Sequence, residues 1–83
     1  METRIAIIAI IVEKNESTRE LNDVLHEYRD FIIGRMGLPY RARGVNIISV
    51  AVDAPADAIN ALSGKVGRID GVTSKTAYSN VGA

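Results

Sequence analysis

Nine residues near the start of the chain, Arg4–Val12 (RIAIIAIIV), are almost wholly aliphatic and bounded by charge. A run this short and this rich in isoleucine reads as a buried strand rather than a helix. It is also far too short to cross a bilayer. Successive side chains of a strand point to opposite faces, so Ile5, Ile7, Ala9 and Ile11 share one side and Ala6, Ile8, Ile10 and Val12 the other. Such a strand needs cover on both sides. A second segment, Val45–Val52 (VNIISVAV), repeats the pattern, with Val45, Ile47, Ser49 and Ala51 opposing Ile48, Val50 and Val52. The bulkier even-numbered set is the expected core side of that strand.

The remaining segments supply the elements that such strands require. Ser17-Thr-Arg-Glu20 has capping-box spacing, and Leu21, Val24, Leu25, Tyr28, Phe31 and Ile32 then form an apolar stripe on a helix of about four turns. Phe31–Ile33 begins a second strand, while Gly34, Gly37 and Pro39 predict an irregular strand or loop through Gly44. Asp53 is the expected N-cap of a second helix, with Pro55 in its first turn, an inner stripe of Ala58, Ile59, Leu62 and Val66, and Gly67 just past its end. Asp70-Gly71 turns into a partly alternating edge strand over Val72–Ser79, and the last few residues read as loose. The order β-α-β-β-α-β, with right-handed crossovers, predicts an α+β, ferredoxin-like sandwich: two helices on one face of a four-stranded antiparallel sheet. At 83 residues the chain is read as one domain, 1–83.

In that architecture only one face of the sheet is covered by helices, yet both central segments are apolar on both sides. Each large aliphatic side chain removed from water contributes about 1.5–3 kcal/mol. The expected result is a homodimer or tetramer that buries Ile5, Ile7, Ile11, Val45 and Ile47.

Composition narrows the function. Ten basic and ten acidic residues balance, which argues against a general nucleic-acid or membrane-surface binder. There is no cysteine, and His26 is the only histidine, so no transition-metal sphere and no cofactor are expected. His26 reads as a boundary residue beside the apolar stripe, with a ligand contact as the lesser reading. Glu16, Glu20, Asp23, Glu27 and Asp30, interleaved with Arg19 and Arg29, read as a solvated face. A cytoplasmic, soluble protein is expected.

One cluster invites a functional reading. Arg35, Tyr40, Arg41 and Arg43, with Arg29 nearby, surround the glycine-rich connection, where arginines suit planar anions and glycines permit close approach. A solvated loop is the plain alternative. Acylphosphatases share the fold and use a loop arginine and an asparagine, but their phosphate loop follows the first strand. Here that loop is Glu13-Lys-Asn-Glu16, with no glycine and two carboxylates that repel phosphate. No nucleophile–base pairing stands out around Ser17, Ser63 or Ser74. The chain is not expected to be an enzyme.

The segments Leu25–Gly37 (LHEYRDFIIGRMG), Tyr40–Pro55 (YRARGVNIISVAVDAP) and Leu62–Val72 carry a resemblance. Over residues 3–80 the chain resembles the regulators of the iron-only hydrogenase system, stand-alone ACT-like domains of about this length. More distantly it is similar to the C-terminal effector domain of nickel-responsive repressors and to the regulatory chain of acetolactate synthase. Those repressors bind nickel through histidines and a cysteine on the second and third strands, where this chain has Ile32, Ile33, Tyr40, Asn46 and Ile47. They also carry a ribbon–helix–helix, whereas here the first strand begins by Arg4. The resemblance implies an effector-binding regulatory module of a hydrogenase system, without a nickel site or direct DNA contact. Its partner would be a small anion or another protein. The alternative is an assembly subunit that docks on a hydrogenase-maturation or metabolic enzyme.

Overall fold

The isoleucine-rich segment forms β1 over Arg4–Val12, as its composition predicts. In a computed structural model that describes residues 2–79, β1 is followed by α1 (Thr18–Glu27), β2 (Ile32–Tyr40), β3 (Val45–Ala54), α2 (Ala56–Gly67) and β4 (Val72–Tyr78). The terminal residues expected to be loose lie outside that range. The strands form one antiparallel sheet in the order β2-β3-β1-β4, so β1 and β3 are central and β2 and β4 are edges. This is a small α+β domain of ferredoxin-like organisation.

Register decides which side each residue serves. Ile8 lies opposite Val50 and Ile10 opposite Ile48, and these even-numbered residues face the helices. Together with Ala6, Val12, Val52 and Ala54 they are buried against Leu21 and Leu25 of α1 and Ile59, Leu62 and Val66 of α2. The core is therefore built on the side expected of the third strand.

Several local expectations are corrected. Ser17 does not form the capping box: a turn of 3-10 helix over Asn15–Ser17 places it in the helical region (φ −81°, ψ −9°), whereas a capping hydroxyl needs an extended backbone. Its hydroxyl instead donates to the Asp70 carbonyl at 2.6 Å, tying the start of α1 to the turn before β4. Beside it Lys14 donates to Asp70 Oδ2 at 2.6 Å, a contact that holds the lysine above its usual pKa range. α1 is also shorter than its stripe. Tyr28 leaves the helix, and a second 3-10 turn, Arg29–Phe31, lets Phe31 and Ile32 pack on the core from outside it.

Asp53 does not cap α2. It stays in β3 opposite Ile5, and Pro55 is the cap residue, its carbonyl accepting from the Ile59 N–H at 3.1 Å. Gly67 is the last residue of α2 rather than a left-handed terminator; Arg68 remains right-handed and lets Ile69 drop into the core at 4% exposure. The left-handed glycine of this region is Gly71, at φ +75°, where a Cβ would meet Lys14 Cγ at 2.6 Å.

Of the two readings open for Gly34–Gly44, an irregular strand holds through Tyr40, and a 3-10 turn follows over Arg41–Arg43. Gly34, Gly37 and Pro39 lie inside a nine-residue strand, β2. An edge strand pairs on one side only, so a proline there need not break the ladder. β4 alternates only partly because its helix-facing centre is polar. Ser74 shares a hydrogen bond with Ser63 of α2 at 3.1 Å, and Thr76 donates to Ser63 at 3.0 Å.

Candidate functional site

The side of the sheet away from the helices carries Ile5, Ile7, Ala9 and Ile11 from β1 and Val45, Ile47, Ser49 and Ala51 from β3. The β2 residues that pair with Ala51, Ser49, Ile47 and Val45 are Gly34, Met36, Leu38 and Tyr40. None of these twelve residues is charged, and Asp53, opposite Ile5 near the end of β3, adds one carboxylate at the margin of the same side. Large side chains here are open to water: Ile7 at 49%, Ile47 at 41%, Leu38 at 59% and Met36 at 71%. Every large exposed hydrophobic among the described residues belongs to β1, β2 or β3. β4 contributes the polar margin, with Lys75 opposite Ala9 and Thr73 opposite Ile11.

Of the residues singled out for assembly, Ile5, Ile7, Ile11 and Ile47 are exposed on this face, and Val45 is half-buried beside them. The contribution of β2 was not legible, because its phase depends on a bulge. Ile32 pairs with Val52 and Gly34 with Ala51, so Ile33 is the extra residue. The bulge resets the alternation and turns Met36, Leu38 and Tyr40 to the open side.

The same reset turns Arg35, opposite Val50, to the helix side. There Arg35 Nη2 donates to Asn22 Oδ1 of α1 at 3.1 Å. Arg41 stands in the turn beyond the far end of β2, whose last residue, Tyr40, is about 17 Å from Arg35 at roughly 3.3 Å per residue. Tyr40 and Arg41 line a hollow of about 180 Å³ with Asn15, Pro39, Gly44, Val45 and Asn46. Arg43 shares the exposed turn with Arg41 but does not line that hollow. The strand thus divides the four expected anion contacts between two places. His26, read from sequence as a boundary residue, lies beside Arg35 and Arg29 in a groove of about 310 Å³ between α1 and β2. Among the described residues, no three histidine, cysteine or acidic side chains come together in a way that would hold a metal ion.

These features sit on a recognisable scaffold. Residues 4–76 match the TM1266-like family, whose description reads "Iron-only hydrogenase system regulator, putative". The chain belongs to that family. Among solved structures, it is similar to the uncharacterized protein TM1266 from Thermotoga maritima, with 37% identity and a TM-score of 0.89 over 93% of this chain and 98% of that one. A formyltetrahydrofolate deformylase from Pseudomonas putida KT2440 shares the fold at 17% identity, with a TM-score of 0.66 over 92% of this chain and 29% of that one. No curated protein matches the chain. Membership in a regulator family implies a role other than catalysis, and no helix among the described residues is long and apolar enough to cross a membrane.

Proposed function

We propose that the chain is an effector-binding, ACT-like regulatory module of an iron-only hydrogenase system, working as a homo-oligomer joined through its open sheet face. The observation that carries the assembly is the exposed apolar face of β1, β2 and β3. The largest contiguous apolar patch on a protein's surface often marks a site of association. β1 and β2 are 9 residues long and β3 is 10, so three strands about 4.8 Å apart present a plane of roughly 10–15 by 30 Å before side chains widen it.

A second copy of the chain is the fitting occupant. The centre of the face is apolar, and its charges, Asp53 opposite Ile5 and Lys75 opposite Ala9, lie toward its margins, so a second copy meeting it about a two-fold axis covers apolar surface with apolar surface. Pairing two such faces also removes the exposed apolar margin of an edge strand, β2, from water. Effector binding gives such an assembly something to report, and family membership directs that report to the hydrogenase system.

Light scattering at micromolar concentration and native mass spectrometry test both parts. The expected mass is a multiple of 9.0 kDa, with a retained small molecule in part of the population. A mass of one chain at that concentration overturns the assembly. A defined complex with a second protein species, and no retained ligand, favours a docking subunit instead.

A further inference from the structure

The groove between α1 and β2 has a construction of its own. Asn22 and His26 are four residues apart and Arg29 follows three later, so all three fall on one side of α1 and its terminal turn. Across from them stand Ile32 and Arg35. Strand residues three apart ordinarily point to opposite faces. The bulge at Ile33 puts both on the helix side, opposite Val52 and Val50. Bulges re-aim side chains in this way next to functional sites. The groove that results has an apolar floor, Leu25 and Ile32, and a rim of Asn22, His26, Arg29 and Arg35.

The two guanidinium groups are held without being neutralised. Arg29 Nη1 donates to the His26 carbonyl at 3.0 Å, and Arg35 Nη2 to Asn22 Oδ1 at 3.1 Å. Both acceptors are uncharged. The ion pairs among the described residues are Lys14–Asp70 and Lys65–Glu27, so neither arginine has a carboxylate within 4.0 Å. Glu27, the acid next to His26, is turned to α2 by Lys65 at 2.9 Å. Each guanidinium has five N–H donors and a planar fork that matches a carboxylate, so both exposed arginines line the groove with most of that capacity unused.

We propose that this groove binds a small organic anion, a carboxylate with a short apolar tail. The carboxylate is held by Arg29 and Arg35, and the tail lies on Leu25 and Ile32. A volume of about 310 Å³ stands at the small end of ligand sites, which suits a compact metabolite. The apolar floor favours a carboxylic acid over inorganic phosphate. Because the groove lies on the helix side, assembly through the opposite face leaves it open. This assignment rests on reading the chain as an effector-binding module and names the class of effector.

Isovalerate is a suitable probe, with isovaleramide as its neutral counterpart and inorganic phosphate as the anion without a tail. Backbone-amide NMR of the full chain is expected to show saturable isovalerate shifts concentrated in residues 22–35. Isovaleramide and phosphate, and separately the Arg29→Gln/Arg35→Gln variant, should bind at least about tenfold more weakly, as expected on losing a charge-assisted bidentate contact. That variant should keep its oligomeric mass. Shifts centred on residues 39–46, equal binding of phosphate, or an unaffected double variant each overturn the groove. So does an absence of saturable binding, which would leave Arg35 as a charge that merely blunts an edge strand. If the groove fails while native mass spectrometry still finds a retained ligand, the site is wrong and the regulatory reading stands. If neither experiment finds a ligand, the effector-binding reading falls with it.

Discussion

The two faces of the sheet are built from the same residues of the same strands. On the helix side Ile8 is 0% and Ile48 6% exposed, while one residue away along each strand Ile7 is 49% and Ile47 41% exposed. Isoleucine and valine fill both sides of β1, so strand propensity cannot distinguish them. What differs is the layer above: α1 and α2 press Leu21, Leu25, Ile59, Leu62 and Val66 onto one side. A sheet apolar on both sides with helices on only one leaves the other apolar side uncovered. The sealed side gives the chain its fold, and the open side is where it has surface left for association.

The strongest way to break that comparison is to charge the open side. Ile7→Lys with Ile47→Lys places two ammonium groups where a partner sheet would cover them, and burying an unpaired charge costs several kcal/mol. Light scattering should then report 9.0 kDa, with the circular dichroism of the parent retained, because both side chains already reach water in the single chain. An unchanged oligomeric mass would place the interface elsewhere.

The sealed side should respond in the opposite manner. Ile10→Ala removes a side chain that is 1% exposed at the centre of the core, and should lower the unfolding free energy by about 2–5 kcal/mol in urea. In the dissociated lysine variant, Ile11→Ala should cost less than about half as much, since its side chain is already 43% exposed. Equal losses at the two positions would mean that the faces are not energetically distinct.

A smaller effect tests how the helical layer is fastened. Ser17→Ala deletes the hydrogen bond to the Asp70 carbonyl and should cost about 0.5–1.5 kcal/mol, read from the denaturation midpoint. Glu20→Ala should leave the midpoint nearly unchanged, because no capping box joins Glu20 to Ser17. Matching losses at both residues would restore the capping box.

Where expectation and structure part, long-range packing is the cause. β1 and the central part of β3 were legible because a strand's period is visible in isoleucines and valines, and α2 because Ile59, Leu62 and Val66 recur at helical spacing. The apolar stripe from Leu21 to Ile32 was legible too, but not the point where its backbone stops being helical. Ser17 carries the same short-range signal as a capping serine. Only Asp70, 53 residues later, decides what its hydroxyl meets. For the candidate sites the decisive local event is the bulge at Ile33, for which no composition signal exists. It divides the arginines, sending Arg35 to His26 and Arg29 and leaving Arg41 with Tyr40.

By itself, the sequence determined the order of elements, the two-sided apolar character of β1 and β3, and which of the two sides of β3 is bulkier. Those properties follow from side-chain periodicity, which the backbone geometry of strands and helices imposes within a few residues. The tertiary structure alone decided that β2 runs as a strand through Tyr40, that its phase shifts by one residue, and that its apolar side chains extend the open face. An edge strand takes its register from the neighbour it pairs with, and for β2 that neighbour is β3, whose pairing residues stand across the turn rather than within β2 itself.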